Sequence, residues 1–288
     1  MPFDYAVHSN LLIHWTGRDL EPTQANDCNR NEEPEWYGKD KSHLQNHDPL
    51  VTSYLDRLRS ILEFGLWMTA EKDSIEIKRG NPIKLPLVPR VCFTELRLSQ
   101  SRVHAKRYGR LGIGVKHPYV FERGGRPVSY IRPPEFSQPK QDIFLQGVLE
   151  RLGNESPLLH FFKSMGDIAT YSFYAESEWR VIHCDEHPTV SKSEDSAQME
   201  ARTPKFKEYI EQMPNPNEAR RKLRRLLPLD GWLSCIIYPS VSVKAAALND
   251  ERIRAAIKRI KEDQSCRANT VEGGNYPIEM DLDMCRNF

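Results

Sequence analysis

Tyr171-Ser-Phe-Tyr-Ala-Glu-Ser-Glu-Trp-Arg-Val181 is the stretch on which the reading of this chain turns. In an extended strand successive side chains point to opposite faces. Phe173, Ala175, Trp179 and Val181 then share an apolar face, and Tyr174, Glu176, Glu178 and Arg180 share the other. Two carboxylates two residues apart repel, and burying them beside an arginine is costly unless their face borders an open cleft. Glu176 and Glu178 are therefore candidate functional carboxylates. The plain alternative is a solvated sheet face on which Arg180 makes an ordinary salt bridge.

Working outward, residues 10–16 (Asn-Leu-Leu-Ile-His-Trp-Thr) predict a strand with Leu12, His14 and Thr16 on one face. A histidine entering such an apolar strand is either a satisfied core residue or a ligand-binding one. Residues 90–95 (Arg-Val-Cys-Phe-Thr-Glu) predict a second core strand, in which the Thr94 hydroxyl is either a site group or a helix N-cap. Residues 111–115 and 127–131 predict two strands joined through a Gly124-Gly125 turn, and 232–238 another buried strand. Helical spacing runs over 51–64 up to Gly65, over 99–108 up to Gly109, over 142–165 with a break at Gly153-Asn154, over 217–227 and over 243–261. Residues 19–48 are polar and read as a loop or lid, and 185–203, rich in Ser, Glu and Lys, as a mobile insert. The irregular alternation of strands and helices predicts an α+β fold, taken as a single domain over 1–288.

With 41 Lys+Arg against 40 Asp+Glu the net charge is +1, which argues against a histone-like binder and an acidic tail alike. No apolar run approaches the roughly 20 residues needed to span a bilayer. The mean hydropathy is −0.62, so the reading is a soluble protein with no membrane partner. The apolar run at 11–15 is too short for a signal-peptide core, which predicts a cytoplasmic location. Six cysteines stand without a Cys-x-x-Cys pair, which argues against a zinc ribbon. Those at Cys92, Cys184 and Cys235 sit in strand-like runs where a thiol packs as a small hydrophobe. His183 and His187, with Asp185 and Glu186 between them, read as a loop leaving a strand rather than a metal site. Arg220, Arg221, Lys222, Arg224 and Arg225 offer phosphate contacts, or else a solvated helix face.

Taken together, His14 with Thr16, Phe93 with Thr94, and Glu178 preceded by Glu176 resemble the ADP-ribosyltransferase fold, in which residues of three strands converge on NAD. A longer resemblance runs through Leu-Leu-Ile-His-Trp-Thr-Gly at 11–17, Val-Cys-Phe-Thr-Glu at 91–95, Arg-Tyr-Gly-Arg-Leu-Gly-Ile-Gly at 107–114, Pro-Val-Ser-Tyr-Ile at 127–131 and Tyr-Ala-Glu-Ser-Glu-Trp-Arg at 174–180. In these segments the chain is similar to the AbiGi family of abortive phage-infection proteins. The resemblance implies a split mixed or antiparallel sheet with flanking helices, and a role in bacterial defence against phage. It also implies an ADP-ribosylating toxin that uses NAD as substrate, acts on nucleic acid such as messenger RNA, and is held by a cognate antitoxin and a chaperone.

The resemblance carries roles to particular positions. Cleavage of the nicotinamide–ribose bond develops positive charge on the ribose, and Glu178 is the carboxylate that would stabilise it. His14 would hold a ribose, Thr16 and Thr94 the ribose and the amide, with Phe93 beside them. Tyr108 or Tyr54 would stack on nicotinamide, Glu176 would orient or deprotonate the acceptor, and Arg18 or Arg180 would meet the diphosphate. The chain departs from the pattern in two respects. No Ser-Thr-Ser run follows the second strand, and the aromatic of a His-Tyr-Glu triad has no unique position, so the acceptor class stays open. Two other readings stand beside this one: a non-enzymatic antitoxin or interaction module of the same fold, and a metal-dependent nuclease using Glu176, Glu178 and Asp167.

Overall fold

The structure is a computed structural model that describes residues 11–20, 34, 36–37, 48–78, 81–95, 98–131, 147–164, 177–183, 204–267 and 277–287. Its strands are β1 (Leu11–Thr16), β2 (Leu66–Trp67), β3 (Thr69–Ala70), β4 (Ser74–Lys78), β5 (Asn81–Lys84), β6 (Pro89–Thr94), β7 (Leu111–Lys116), β8 (Arg126–Pro127), β9 (Ser129–Ile131), β10 (Phe162–Ser164), β11 (Glu178–Ile182), β12 (Leu226–Leu227), β13 (Leu233–Tyr238) and β14 (Ile278–Asp281). Its α-helices include α1 (Pro49–Phe64), α2 (Ser101–Tyr108), α3 (His117–Glu122), α4 (Pro204–Gln212), α5 (Pro216–Leu223), α6 (Val241–Leu248) and α7 (Glu251–Arg267), and residues 147–152 are helical too. The architecture is α+β, with a mixed sheet and flanking helices.

The chain divides into two compact units, one built from Met1–Trp67, Glu95–Tyr119 and Leu227–Phe288, the other from Met68–Thr94 and Val120–Leu226. In the first unit the sheet runs β14-β13-β7-β1. The β1–β7 and β7–β13 pairs are antiparallel, and β13 pairs β14 in parallel. All six residues of β13 are buried, as its mostly apolar sequence requires of a strand covered on both faces, and the one hydroxyl in it, on Ser234, donates to the Trp232 carbonyl at 3.0 Å. Ile13 and Trp15 of β1 pack with Ala105, Ile237 and Met280 on one side, while Leu12, on the opposite face, is fully buried as well. Helix α1 packs with α6 and α7. It starts where the Asp48 side chain accepts from the Leu50 N–H at 2.7 Å and Pro49 fixes φ. It stops at Gly65, whose φ of 109° an L side chain rarely adopts.

In the second unit β6 pairs antiparallel with β11 and β3, and β11 pairs antiparallel with β8. Two small ribbons also belong to it, the antiparallel hairpin β4–β5 and the parallel pair β9–β10. Ile75, Leu85 and Leu159 form a core with Val148, Leu149 and Phe162 packed against it.

Several elements differ from the sequence reading. Helix α3 stands where only a turn was expected before β8, because His117-Pro118 places proline in the first helical turn. The second half of the helix expected over 142–165 is a 3-10 turn, Pro157–Phe161, followed by β10. The helix expected over 243–261 is two helices, since the Asp250 side chain accepts from Ile253 N–H at 3.0 Å and starts a new one. The basic helix ends at Leu223, and Leu226–Leu227 are extended. Among the described residues no helix is long and apolar enough to cross a membrane. Glu176, Asp167, the insert at 185–203 and most of the loop at 19–48 lie outside the described residues.

Candidate functional site

Period-two geometry on two paired strands builds the site. Antiparallel register sets Glu178 opposite Thr94, Arg180 opposite Cys92, and Ile182 opposite Arg90. One face of this pair therefore carries Glu178, Arg180, Arg90, Cys92 and Thr94. The other carries Trp179 opposite Phe93, with the Phe121 ring edge-on to Trp179 at 5.1 Å. Every residue of β11 is buried. The polar face thus looks into protein, and its charges must be paired there.

They are paired closely. Glu178 Oε1 accepts from Arg180 Nε at 2.7 Å, and Oε2 accepts from Arg180 Nη2 at 3.3 Å and from Lys163 Nζ at 3.1 Å. Arg180 Nη1 donates to the His160 carbonyl at 2.6 Å and to Asp73 Oδ2 at 3.4 Å. That same Asp73 oxygen lies 3.3 Å from Arg90 Nη2, so one carboxylate bridges two guanidiniums. The His160 ring closes the network, with Nε2 2.8 Å from the Pro86 carbonyl and Nδ1 3.2 Å from Arg90 Nη1. A ring facing a carbonyl at one nitrogen and a guanidinium donor at the other is suited only by the neutral tautomer protonated on Nε2.

The backbone at Glu178 is fixed too. Ser177, just before it, takes a left-handed φ of 43°, the one described non-glycine residue to do so. The Glu178 carbonyl accepts from Val128 N–H at 2.8 Å, and its N–H donates to the Tyr130 hydroxyl at 3.3 Å. Tyr130 of β9 and Lys163 of β10 are direct cross-strand partners in the parallel pair. The small ribbon thus delivers two side chains to one residue, the hydroxyl to its main chain and the ammonium to its carboxylate.

Electrostatics follow from this packing. Burial alone pushes the Glu178 carboxyl up, but the Arg180 and Lys163 charges, with hydrogen bonds from Arg180 and Cys92, outweigh it and hold the pKa down at about 2. Burial pushes the Cys92 thiol up to about 12, and the Glu178 carboxylate beside it acts in the same direction. Burial lowers His160 to about 4, with Arg90 and Arg180 adding to the effect against the Pro86 hydrogen bond. At neutral pH the cluster holds an ionised carboxylate, a neutral imidazole and a protonated thiol. The Glu178 carboxylate is matched there by Arg180 and Lys163, and none of the three groups gives up or takes up a proton near neutral pH.

The remaining positions named from the sequence fall as follows. Thr94 is buried and stands directly opposite Glu178 in the strand register. Phe93 is fully buried and packs in the core. Arg180 is 1 % exposed, and its Nε, Nη1 and Nη2 already donate within the cluster, so it clamps Glu178 rather than presenting itself to a diphosphate. In the first unit His14 and Thr16 share a face of β1, and the Thr16 hydroxyl accepts from Arg57 Nη1 at 3.3 Å. Tyr108 is partly buried against the Ile13–Trp15 cluster, with the Arg107 guanidinium 5.4 Å from its ring. Tyr54 is buried, its hydroxyl donating to the Gly17 carbonyl at 3.4 Å. Arg18 lies in a 3-10 turn, half-buried. Among the described residues no group of three His, Cys, Asp or Glu side chains is arranged to hold a metal ion.

Sequence reasoning missed Lys163, Tyr130, His160, Asp73 and Arg90. Arg90 alone carried a usable signal, standing two and four residues before Cys92 and Thr94 on a strand already recognised. Compared with known proteins, the chain matches no family model, no curated protein and no solved structure.

Proposed function

We propose that the protein is an NAD-dependent ADP-ribosyltransferase, a toxin of a bacterial anti-phage system, with Glu178 as its catalytic carboxylate and nucleic acid as its acceptor. The observation that carries this reading is Glu178 itself, buried at the start of β11 yet held ionised by Arg180 and Lys163. When nicotinamide leaves with the electron pair of the glycosidic bond, positive charge grows on the ribose. A fixed carboxylate in a site shielded from water lowers that barrier far more than one in bulk solvent. Thr94, opposite it, supplies a hydroxyl for the ribose. The AbiGi resemblance supports the defence role, and the basic stretch Arg220–Arg225 supports a phosphate-bearing acceptor.

One observation favours the rival reading of a binding module: Arg180 and Glu178 satisfy each other, as a purely structural ion pair would. Incubation with labelled NAD and total RNA, DNA or lysate protein separates the two. Label is expected in the nucleic-acid fraction, lowered by about a hundredfold or more in Glu178→Gln. Absence of both transfer and NAD binding in the folded wild-type protein would sink the enzyme reading.

A further inference from the structure

The two cations on Glu178 are held very differently. Arg180 is nearly fully buried and pinned at every nitrogen, by Glu178, the His160 carbonyl and Asp73. Lys163 reaches Glu178 from a two-stranded ribbon, and its side chain is 21 % exposed. A lysine ammonium on a four-carbon stem is a strongly hydrated point charge that relocates readily, whereas a guanidinium held in a fork does not. Arg180 donates to both carboxylate oxygens, Lys163 to Oε2, and the Cys92 thiol supplies a further hydrogen bond, so the about four acceptor positions of the carboxylate are taken. A carboxylate that is to accept from a ribose hydroxyl needs a free position, and the bond to Lys163 is the one the protein surrenders most easily.

We propose that Lys163 is a displaceable stand-in for the substrate: it occupies Oε2 of Glu178 in the free protein and yields that position to a ribose hydroxyl of NAD. The inference rests on the ADP-ribosyltransferase reading and extends it to the resting state of the same carboxylate. Arg180 and Thr94 stay in place throughout, and Lys163, released, turns toward solvent. In this scheme the Lys163 bond is an internal competitor, so apparent NAD affinity is reduced by the fraction of molecules in which Oε2 is occupied.

The test is the steady-state KM for NAD, with its dissociation constant by calorimetry, in wild type, Lys163→Met and Lys163→Arg, each checked for an unchanged melting temperature. Removing the competitor is expected to lower KM and the dissociation constant by about two- to fivefold, the range of a partly exposed ion pair. Lys163→Arg keeps a cation on the carboxylate and should hold KM at or above the wild-type value. A structural role would not produce tighter substrate binding in the variant lacking the charge. An unchanged KM in Lys163→Met would refute the inference, and a raised one would make Lys163 a direct substrate ligand instead; either leaves the enzyme reading standing if wild type transfers label. If Lys163→Met melts early, Lys163→Gln, which keeps polarity without charge, carries the same expectation. Failure of the wild-type protein to bind NAD removes the functional reading and this inference with it.

Discussion

At the level of single residues, the pairing of Glu178 with Arg180 is an all-or-none arrangement. Neither charge has bulk water to fall back on, since their side chains are 7 % and 2 % exposed. Truncating one partner leaves the other buried and under-compensated, typically at about 3–5 kcal/mol, while replacing both by groups of similar shape is far milder. Arg180→Met should therefore destabilise the protein by an amount in that range, read from urea denaturation. The double variant Glu178→Gln/Arg180→Met should lose clearly less than the sum of the two single changes. Simple additivity would mean that the pair is not the unit described here. The strand period made Glu178 and Arg180 legible in the sequence, because both sit on one short β-type run. Lys163, Asp73 and His160 were not legible: they come from a ribbon, a connection and a 3-10 turn, where no periodicity announces which way a side chain points. They join Glu178 through long-range packing that one sequence does not display.

At the level of elements, the end of β1 illustrates how closely local backbone geometry controls what surrounds a candidate residue. Helix α2 closes at Gly109, whose φ is 117° and whose added Cβ would lie 2.3 Å from the Thr16 carbonyl group. Both the conformation and the contact exclude a side chain. Gly109→Ala is expected to cost at least about 2 kcal/mol, combining backbone strain with overpacking against main chain that cannot move aside. A denaturation midpoint within error of wild type would contradict that close approach. Elements with both a clear period and a clear stop were readable from sequence: β1, α1 ending at Gly65, β6, α2 ending at Gly109, β7 and β13. Those that failed lacked one of the two. The single helix expected over 243–261 has the right apolar spacing throughout, but Asp250 both accepts from Ile253 N–H and pairs with Arg59 of α1, and the chain turns there. Hairpin β4–β5 and strand β14 are short and mixed in polarity, and their pairing partners alone make them strands.

For the molecule as a whole, the imidazole and carboxyl groups with depressed pKa set the direction in which stability changes on acidification. The unfolded chain takes up a proton at a histidine near pH 6.5, whereas buried His160 resists until about 4. Between those values the unfolded state binds more protons, so stability falls as pH falls and levels off once the native ring is protonated too. Glu178 adds a second, lower window: its contribution is complete above the usual 4.5 and is lost as pH drops toward about 2. Asp250 in the first unit, lowered below its ordinary value of 3.8 by Arg59 and helix N–H groups against the opposing effect of burial, acts in the same direction. General charge repulsion also grows on acidification, since 41 cations lose the balance of 40 carboxylates, but it acts equally on any single-site variant. His160→Gln isolates the first window, because an amide can donate to the Pro86 carbonyl and accept from Arg90 without titrating. Urea midpoints measured above, within and below the interval from 6.5 to about 4 should decline steadily in wild type. In His160→Gln they should stay nearly level across that interval and drop only below it. An equal decline in both proteins would show that His160 titrates as freely in the native state as in the unfolded chain, and that the Arg90–His160–Pro86 contacts do not hold the ring neutral.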